Sequence, residues 1–308
     1  MTYPFAPGHP DYSSTGASRF IPQLWAGKTI VKWYNSTVLT SITNRDYEGE
    51  IKKQGDTVIL RSVADVSVED HNIGDTFTYE RPTSTPVTML IDKGKRWKIA
   101  LDDVVKVQSD IPLLNKWTDD AAMQMKISIE RSFFASAEIY AGFHVKNAGA
   151  TAGVASSSFN IGVEATPVQV TDANVLDYIV DCGTVLDEQN VPEQGRWMII
   201  PVWMAGLIKK SDLKDASLTN DEKSILRTGR IGMIDRFTLY NSNLLRHSGT
   251  TWYCVPFGVN AAITFATQIV HTESMRNPFA FEDLVRGLQV YGYKVVKPEG
   301  YGHMVCYK

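Results

Sequence analysis

Val191-Pro192-Glu193-Gln194-Gly195-Arg196-Trp197-Met198-Ile199-Ile200-Pro201 is the stretch from which the rest of the chain is best read. Pro192 to Gly195 has the composition of a turn, and Arg196 to Ile200 is a short apolar run bounded by breakers, the pattern of a buried strand. Upstream, Asp172 to Asn190 is predicted to be a helix, with Val175, Ile179, Cys182 and Leu186 on one face and Thr171 or Asp172 as its cap. Downstream, Ser211 to Arg227 is polar and charged and reads as a loop with a short helix. Phe237 to Tyr240, Ile263 to Val270 and Leu288 to Val296 read as further strands.

The amino-terminal half is organised differently. Residues 1 to about 25 are rich in Pro, Gly, Ser and aromatics and lack periodicity, as expected of an extended arm. Tyr3, Phe5, Tyr12 and Phe20 make that arm too apolar to be left in water, so it is expected to lie along another surface. Pro22 to Thr43 fits an amphipathic helix or a strand. Val87, Met89 and Ile91 alternate, as do Trp97, Ile99 and Leu101, with Asp92-Lys93-Gly94-Lys95 between them. This predicts a two-stranded hairpin whose tip is basic through Lys93, Lys95, Arg96 and Lys98. Asp110 to Gly142 carries the strongest helical period, with Leu114, Trp117, Ala121, Met125, Ile129, Phe133, Ala137 and Tyr140 as the apolar stripe. Such a helix would be a strut of roughly 50 Å at about 1.5 Å per residue. Asn147 to Ser158 is small, polar and reads as a loop.

Composition sets limits on function. The chain has 308 residues, 44% hydrophobic and 21% charged, with net charge -3. It should fold, and it is not a strongly basic nucleic-acid binder. Cys182, Cys254 and Cys306 lie far apart and form no CxxC pair, so they read as free thiols in a reducing compartment. The first ten residues do not form a signal peptide, which leaves cytoplasmic synthesis as the expectation. The apolar run from Trp197 to Ile208 is too short to span a bilayer and is interrupted by Pro201.

Local motifs for chemistry are absent. His271-Thr272-Glu273 has the HxE spacing of zinc deaminases but lacks the downstream P-C-x-x-C that would complete the ligands. Asp187-Glu188 is the acidic pair most worth testing for acid–base work, but a solvated helix end is its simpler reading. No phosphate loop or nucleophile elbow occurs. No catalytic residue, cofactor or metal is assigned.

Taken in order, five blocks resemble the major capsid proteins of tailed bacteriophages with the Hong Kong 97-type fold. They are residues 191–201, Thr228 to Ile234, Leu239 to Asn243, Phe265 to Ile269, and Val285 to Val296. The resemblance implies an α+β subunit with an arm at 1–45, an extended β-hairpin loop at 46–107 and a peripheral domain with a spine helix at 108–169. An axial domain at 170–262 and returning carboxyl-terminal strands at 263–308 would follow. It implies hexamers and pentamers of an icosahedral head enclosing double-stranded DNA, contacted without sequence preference. Many copies of the chain itself are the expected partners, with a separate scaffolding protein and a portal; a decoration protein is left open, and no membrane is involved. The expected location is the virion, after assembly in the host cytoplasm. Lys93, Lys95, Arg96, Arg276 and Asn277 are the candidate inter-subunit contacts. Some relatives join subunits covalently through a Lys and an Asn; Asn277 is the one candidate for that role in this chain, and no cross-link is expected. A nanocompartment shell of the encapsulin type, or an enzyme with a discontinuous site, are the alternatives.

Overall fold

The structure is a computed structural model that describes residues 32–46, 57–61, 64, 66–74, 76, 79–104, 113–211, 232–249 and 251–308. The aromatic arm, the predicted start of the spine helix at 110–112, nearly all of the Ser211–Arg227 loop and most of the Thr228 block lie outside the described residues. The described part of Pro22 to Thr43 contains one short helix, α1 (Leu39–Ile42).

The stretch 191–201 folds as its punctuation suggests. Strand β5 (Arg196–Ile200) is buried along its whole length. It sits inside a seven-stranded mixed sheet whose other members are β4 (Val168–Gln169), β6 (Met233–Ile234), β7 (Phe237–Asn241), β8 (His247–Ser248), β9 (Trp252–Val259) and β12 (Tyr301–Tyr307). The order is β4-β12-β9-β5-β7-β6, with β8 pairing β9 at the side. A helix before β5 (Val175–Glu188) and one after it (Val202–Lys210) cover this sheet. Val175, Ile179, Cys182 and Leu186 of the first are fully buried, so its predicted face is its packed face.

The other unit is a three-stranded antiparallel sheet, β10 (Ile263–Arg276), β11 (Glu282–Val295) and β3 (Lys93–Asp102), in the order β10-β11-β3. Here the expected hairpin is corrected. Strand β2 (Val87–Leu90) does not pair with β3; it pairs with β1 (Thr57–Leu60), in the register Thr57↔Leu90. Strand β3 pairs with β11 instead, Lys98 opposite Arg286 and Arg96 opposite Leu288. The Asp-Lys-Gly-Lys sequence is therefore a strand start, and the extended hairpin runs from β1 to β2 through residues 61–86. Its base rests on β11 through a small apolar cluster of Met89, Ile91 and Ala266, joined by Val58 and Val290. Gly292 allows this approach: a Cβ there would stand 2.3 Å from the Leu90 carbonyl oxygen.

The spine is also shorter than its period implies. It is a 23-residue helix, Leu113–Ala135, about 34 Å long. Ser136 leaves the helical region with ψ 132°, and a separate turn, Ala137–Tyr140, follows. The stripe is packed only toward its carboxyl end. Ile129 and Phe133 are buried and Met125 is half-buried, whereas Trp117 is 39% exposed. Beyond the break, Ala137 is exposed instead of joining the stripe.

One buried polar group on the spine has no counterpart in the sequence reading. Glu130 is 1% exposed, and its carboxylate oxygen accepts from the backbone N–H of Val38 (2.7 Å) and Leu39 (3.0 Å). It thereby caps the start of α1 and ties the segment after the arm to the spine. Burial holds its carboxyl above the usual range, against the pull of those two N–H groups. The folded state thus takes up a proton more readily than the unfolded one, and this group favours folding more as pH falls through its folded pKa. Gln keeps an acceptor oxygen without the charge. Glu130→Gln is expected to melt close to the parent at pH 7, whereas Glu130→Leu, which orphans two buried donors, should lose about 1–3 kcal/mol. Equal losses for the two variants in thermal melts would refute the capping role.

Candidate inter-subunit surfaces

The five candidate contact residues meet different fates. Lys93 is drawn into its own subunit. Its ammonium lies 3.0 Å from Asp92, 3.5 Å from Glu138 and 4.4 Å from the centre of the Tyr293 ring. Glu138 also takes Lys294 at 3.0 Å, so the break at Ser136 is pinned by an ion cluster. Within its own subunit, Lys93 is thus already engaged. Lys95 shares its half-buried face of β3, while Arg96 and Lys98 are exposed on the other face.

Arg276 and Asn277 lie at the far end of the β10–β11 pair, away from β2. The Arg276 guanidinium reaches Asp103 (2.8 Å) and Asp283 (3.1 Å). Asn277 is occupied at both ends of its side chain: its oxygen accepts from the Phe279 N–H at 3.0 Å, and its amide donates to Glu282. Both residues close the turn 277–282. What that turn presents is apolar, with Phe279 96% and Phe281 83% exposed. The signal is present in Asn277-Pro278-Phe279-Ala280-Phe281, two aromatics in a sequence otherwise typical of a polar turn.

The described residues of the β1–β2 hairpin form a long uncovered surface. From Val66 to Pro86 every described residue is exposed, among them Val68 (95%), Ile73 (105%) and Tyr79 (92%). Across the loop, the Ser67 N–H and hydroxyl both donate to Glu80.

Residues singled out for chemistry are engaged otherwise. Asp187 is neither a solvated helix end nor half of an acid–base pair. It bridges Arg196 (2.6 Å) and Arg236 (2.8 Å), and Arg236 continues to Glu193 (2.7 Å). Glu188 accepts from the backbone N–H of Ala155 (2.8 Å) and Ser156 (3.2 Å), holding the 153–156 loop. Glu273 pairs with Arg286, and His271 lies two residues before it, exposed on β10. Cys182, Cys254 and Cys306 are buried free thiols whose pKa values burial raises, Cys306 to about 12, which makes them poor nucleophiles. Among the described residues there is no cluster of His, Cys, Asp and Glu able to hold a metal, and no helix long and apolar enough to cross a membrane.

A short mixed-sheet body, a long helix beside a second sheet, and an uncovered hairpin form the arrangement implied by the sequence resemblance. A family model described as phage capsid protein matches residues 85–301. The chain belongs to the phage capsid protein family. Among solved structures, a chain from Mycobacterium phage Che8 is 27% identical, with a TM-score of 0.76, over 92% of this chain and 96% of that one. The capsid of cyanophage P-SCSP1u superposes with a TM-score of 0.73 at 13% identity, covering 99% of both chains. The capsid of a native GTA particle gives 0.68 at 13% identity, covering 97% of this chain and 99% of that one. No curated protein sequence matches the chain significantly. The fold of this phage capsid protein is thus the Hong Kong 97-type fold, and its role is structural.

Proposed function

We propose that this capsid protein is the repeating subunit of an icosahedral head, arranged as hexamers and pentamers around double-stranded DNA. In this reading the seven-stranded body (170–262, with the returning β12) is the axial domain. The spine and the three-stranded sheet, β3 included, form the peripheral domain, and the hairpin from β1 to β2 is the extended loop, shorter than the 46–107 span expected from the sequence. The observation that carries the proposal is the uncovered hairpin. An isolated two-stranded ribbon is marginal in water. A run from Val66 to Pro86 with three large apolar side chains more than nine-tenths exposed is stabilised when symmetric copies cover it. The Phe279–Phe281 turn adds a second apolar contact. The family match to phage capsids favours a virus head over a nanocompartment. A separate scaffolding protein, a portal and non-specific contact with the packaged DNA complete the assembly, which takes place in the host cytoplasm. The subunit has no catalytic part in it.

The test is sedimentation and negative-stain microscopy of the full chain coexpressed with its scaffolding protein. Closed shells are expected; monomers and small dimers alone would overturn the proposal. Mature particles should run as single-subunit bands on denaturing gels, since the Asn277 amide is engaged in its own turn; a ladder of linked subunits would contradict that part.

A further inference from the structure

The exposed face of the three-stranded sheet carries a groove of about 450 Å³. Its walls are Arg96 and Lys98 from β3, Arg286 and Leu288 from β11, and His271 and Glu273 from β10. Strand register sets these side chains in two rows across the sheet: Lys98, Arg286 and Glu273 in one, Arg96, Leu288 and His271 in the other. Glu273 is the single carboxylate, and Arg286 takes it. Arg96 and Lys98 are left without a carboxylate partner among the described residues.

The uncovered hairpin has the opposite character. Residues 61–86 contain Asp65, Glu69, Asp70, Asp75 and Glu80 against Arg61 and Arg81. Glu80 is held by Ser67. Glu69 and Asp70 are exposed and have no cationic partner among the described residues, and Val68 beside them is 95% exposed. Leu288, 41% exposed, offers that valine an apolar seat within the basic groove. The chain's own hairpin leaves the groove open.

We propose that the groove receives the acidic hairpin end of a neighbouring copy, with Glu69 and Asp70 meeting Arg96 and Lys98 and Val68 resting on Leu288. The sign is the reverse of the sequence expectation: the basic residues form the socket, and the projecting loop is acidic. The proposal rests on the shell reading above. Opposite charges brought together in a partly dehydrated groove attract more strongly than in open water, and they set register by rejecting like charge.

The experiment is a charge swap in the full chain, with parent shells prepared in parallel. Arg96→Glu with Lys98→Glu, and separately Glu69→Lys with Asp70→Lys, are expected to cut shell yield roughly tenfold or more through like-charge contacts. Soluble subunits of parental melting temperature should remain, because all four side chains are exposed. The fourfold variant should recover most of the yield. Doubles that assemble like the parent, or a fourfold variant no better than the doubles, would overturn the pairing. So would a groove double that builds empty shells normally but retains less DNA, which would assign the groove to the genome. Absence of shells from the parent chain would instead be a failure of the shell reading itself.

Discussion

Arg196→Ala is expected to leave the subunit largely insoluble, with a loss of about 3–5 kcal/mol in whatever folds. The guanidinium is fully buried and each of its three nitrogens is used. One terminal nitrogen donates to Asp187 (2.6 Å) and the Val191 carbonyl (2.7 Å), the other to the Gly183 carbonyl (3.3 Å), and Nε to the Pro192 carbonyl (3.0 Å). Truncation removes the donors to the Val191 and Pro192 carbonyls and one partner of Asp187, where the helix ending at Glu188, the turn and β5 meet. Lys cannot replace that fixed fork of donors. Arg236 shares Asp187 but is 36% exposed, where water screens the pair, so Arg236→Ala should cost far less. Denaturant midpoints separate the two, and equal losses would show that Arg196 is not the anchor. Burial alone would raise the Asp187 pKa, yet its two guanidinium partners lower it. Its contribution is therefore present above the unfolded carboxylate pKa and is lost as pH falls through the lower folded value.

Ile129→Asp and Arg131→Asp should part just as sharply. Ile129 is 4% exposed and lies in the main core with Phe133. A carboxylate there would be unpaired, at a cost on the order of several kcal/mol, and the product should be insoluble and form no particles. Arg131 is exposed, roughly 200° around the helix axis. Its substitution should fold and melt like the parent, with at most a defect in assembly. Similar solubility and melting for the two variants would refute the orientation of the spine.

What the sequence made legible was local. Proline and glycine bracket β5, and the face of the helix at 175–188 repeats every three or four residues, so both could be read without knowing the fold. Strand partners could not. Val87 to Leu90 chooses β1 over the adjacent β3 because Met89 and Ile91 bury against Ala266, a residue far along the chain. The turn-like Asp92-Lys93-Gly94-Lys95 is overruled by ten residues of ladder with β11. The break at Ser136 is hidden because Ile139 and Tyr140 continue the apolar period beyond it. Glu130 and Asp187 are illegible for one reason: a carboxylate gives no local sign that backbone N–H groups or guanidinium groups await it. The socket face is hidden because Arg96, Lys98 and Arg286 become neighbours only through strand pairing.

The position of β12 has a consequence for how subunits are made. Tyr301–Tyr307 is not an edge addition; it stands between β4 and β9 and is buried at six consecutive positions. Until those residues have been synthesised, β4 has no partner on that side and β9 exposes an unpaired edge to any strand that meets it. A nascent or prematurely released chain is thus a different object from the finished subunit, not a slightly shorter one. A chain broken before Tyr301 lacks an interior strand of its sheet, not its rim, so the damage falls on the core of the body.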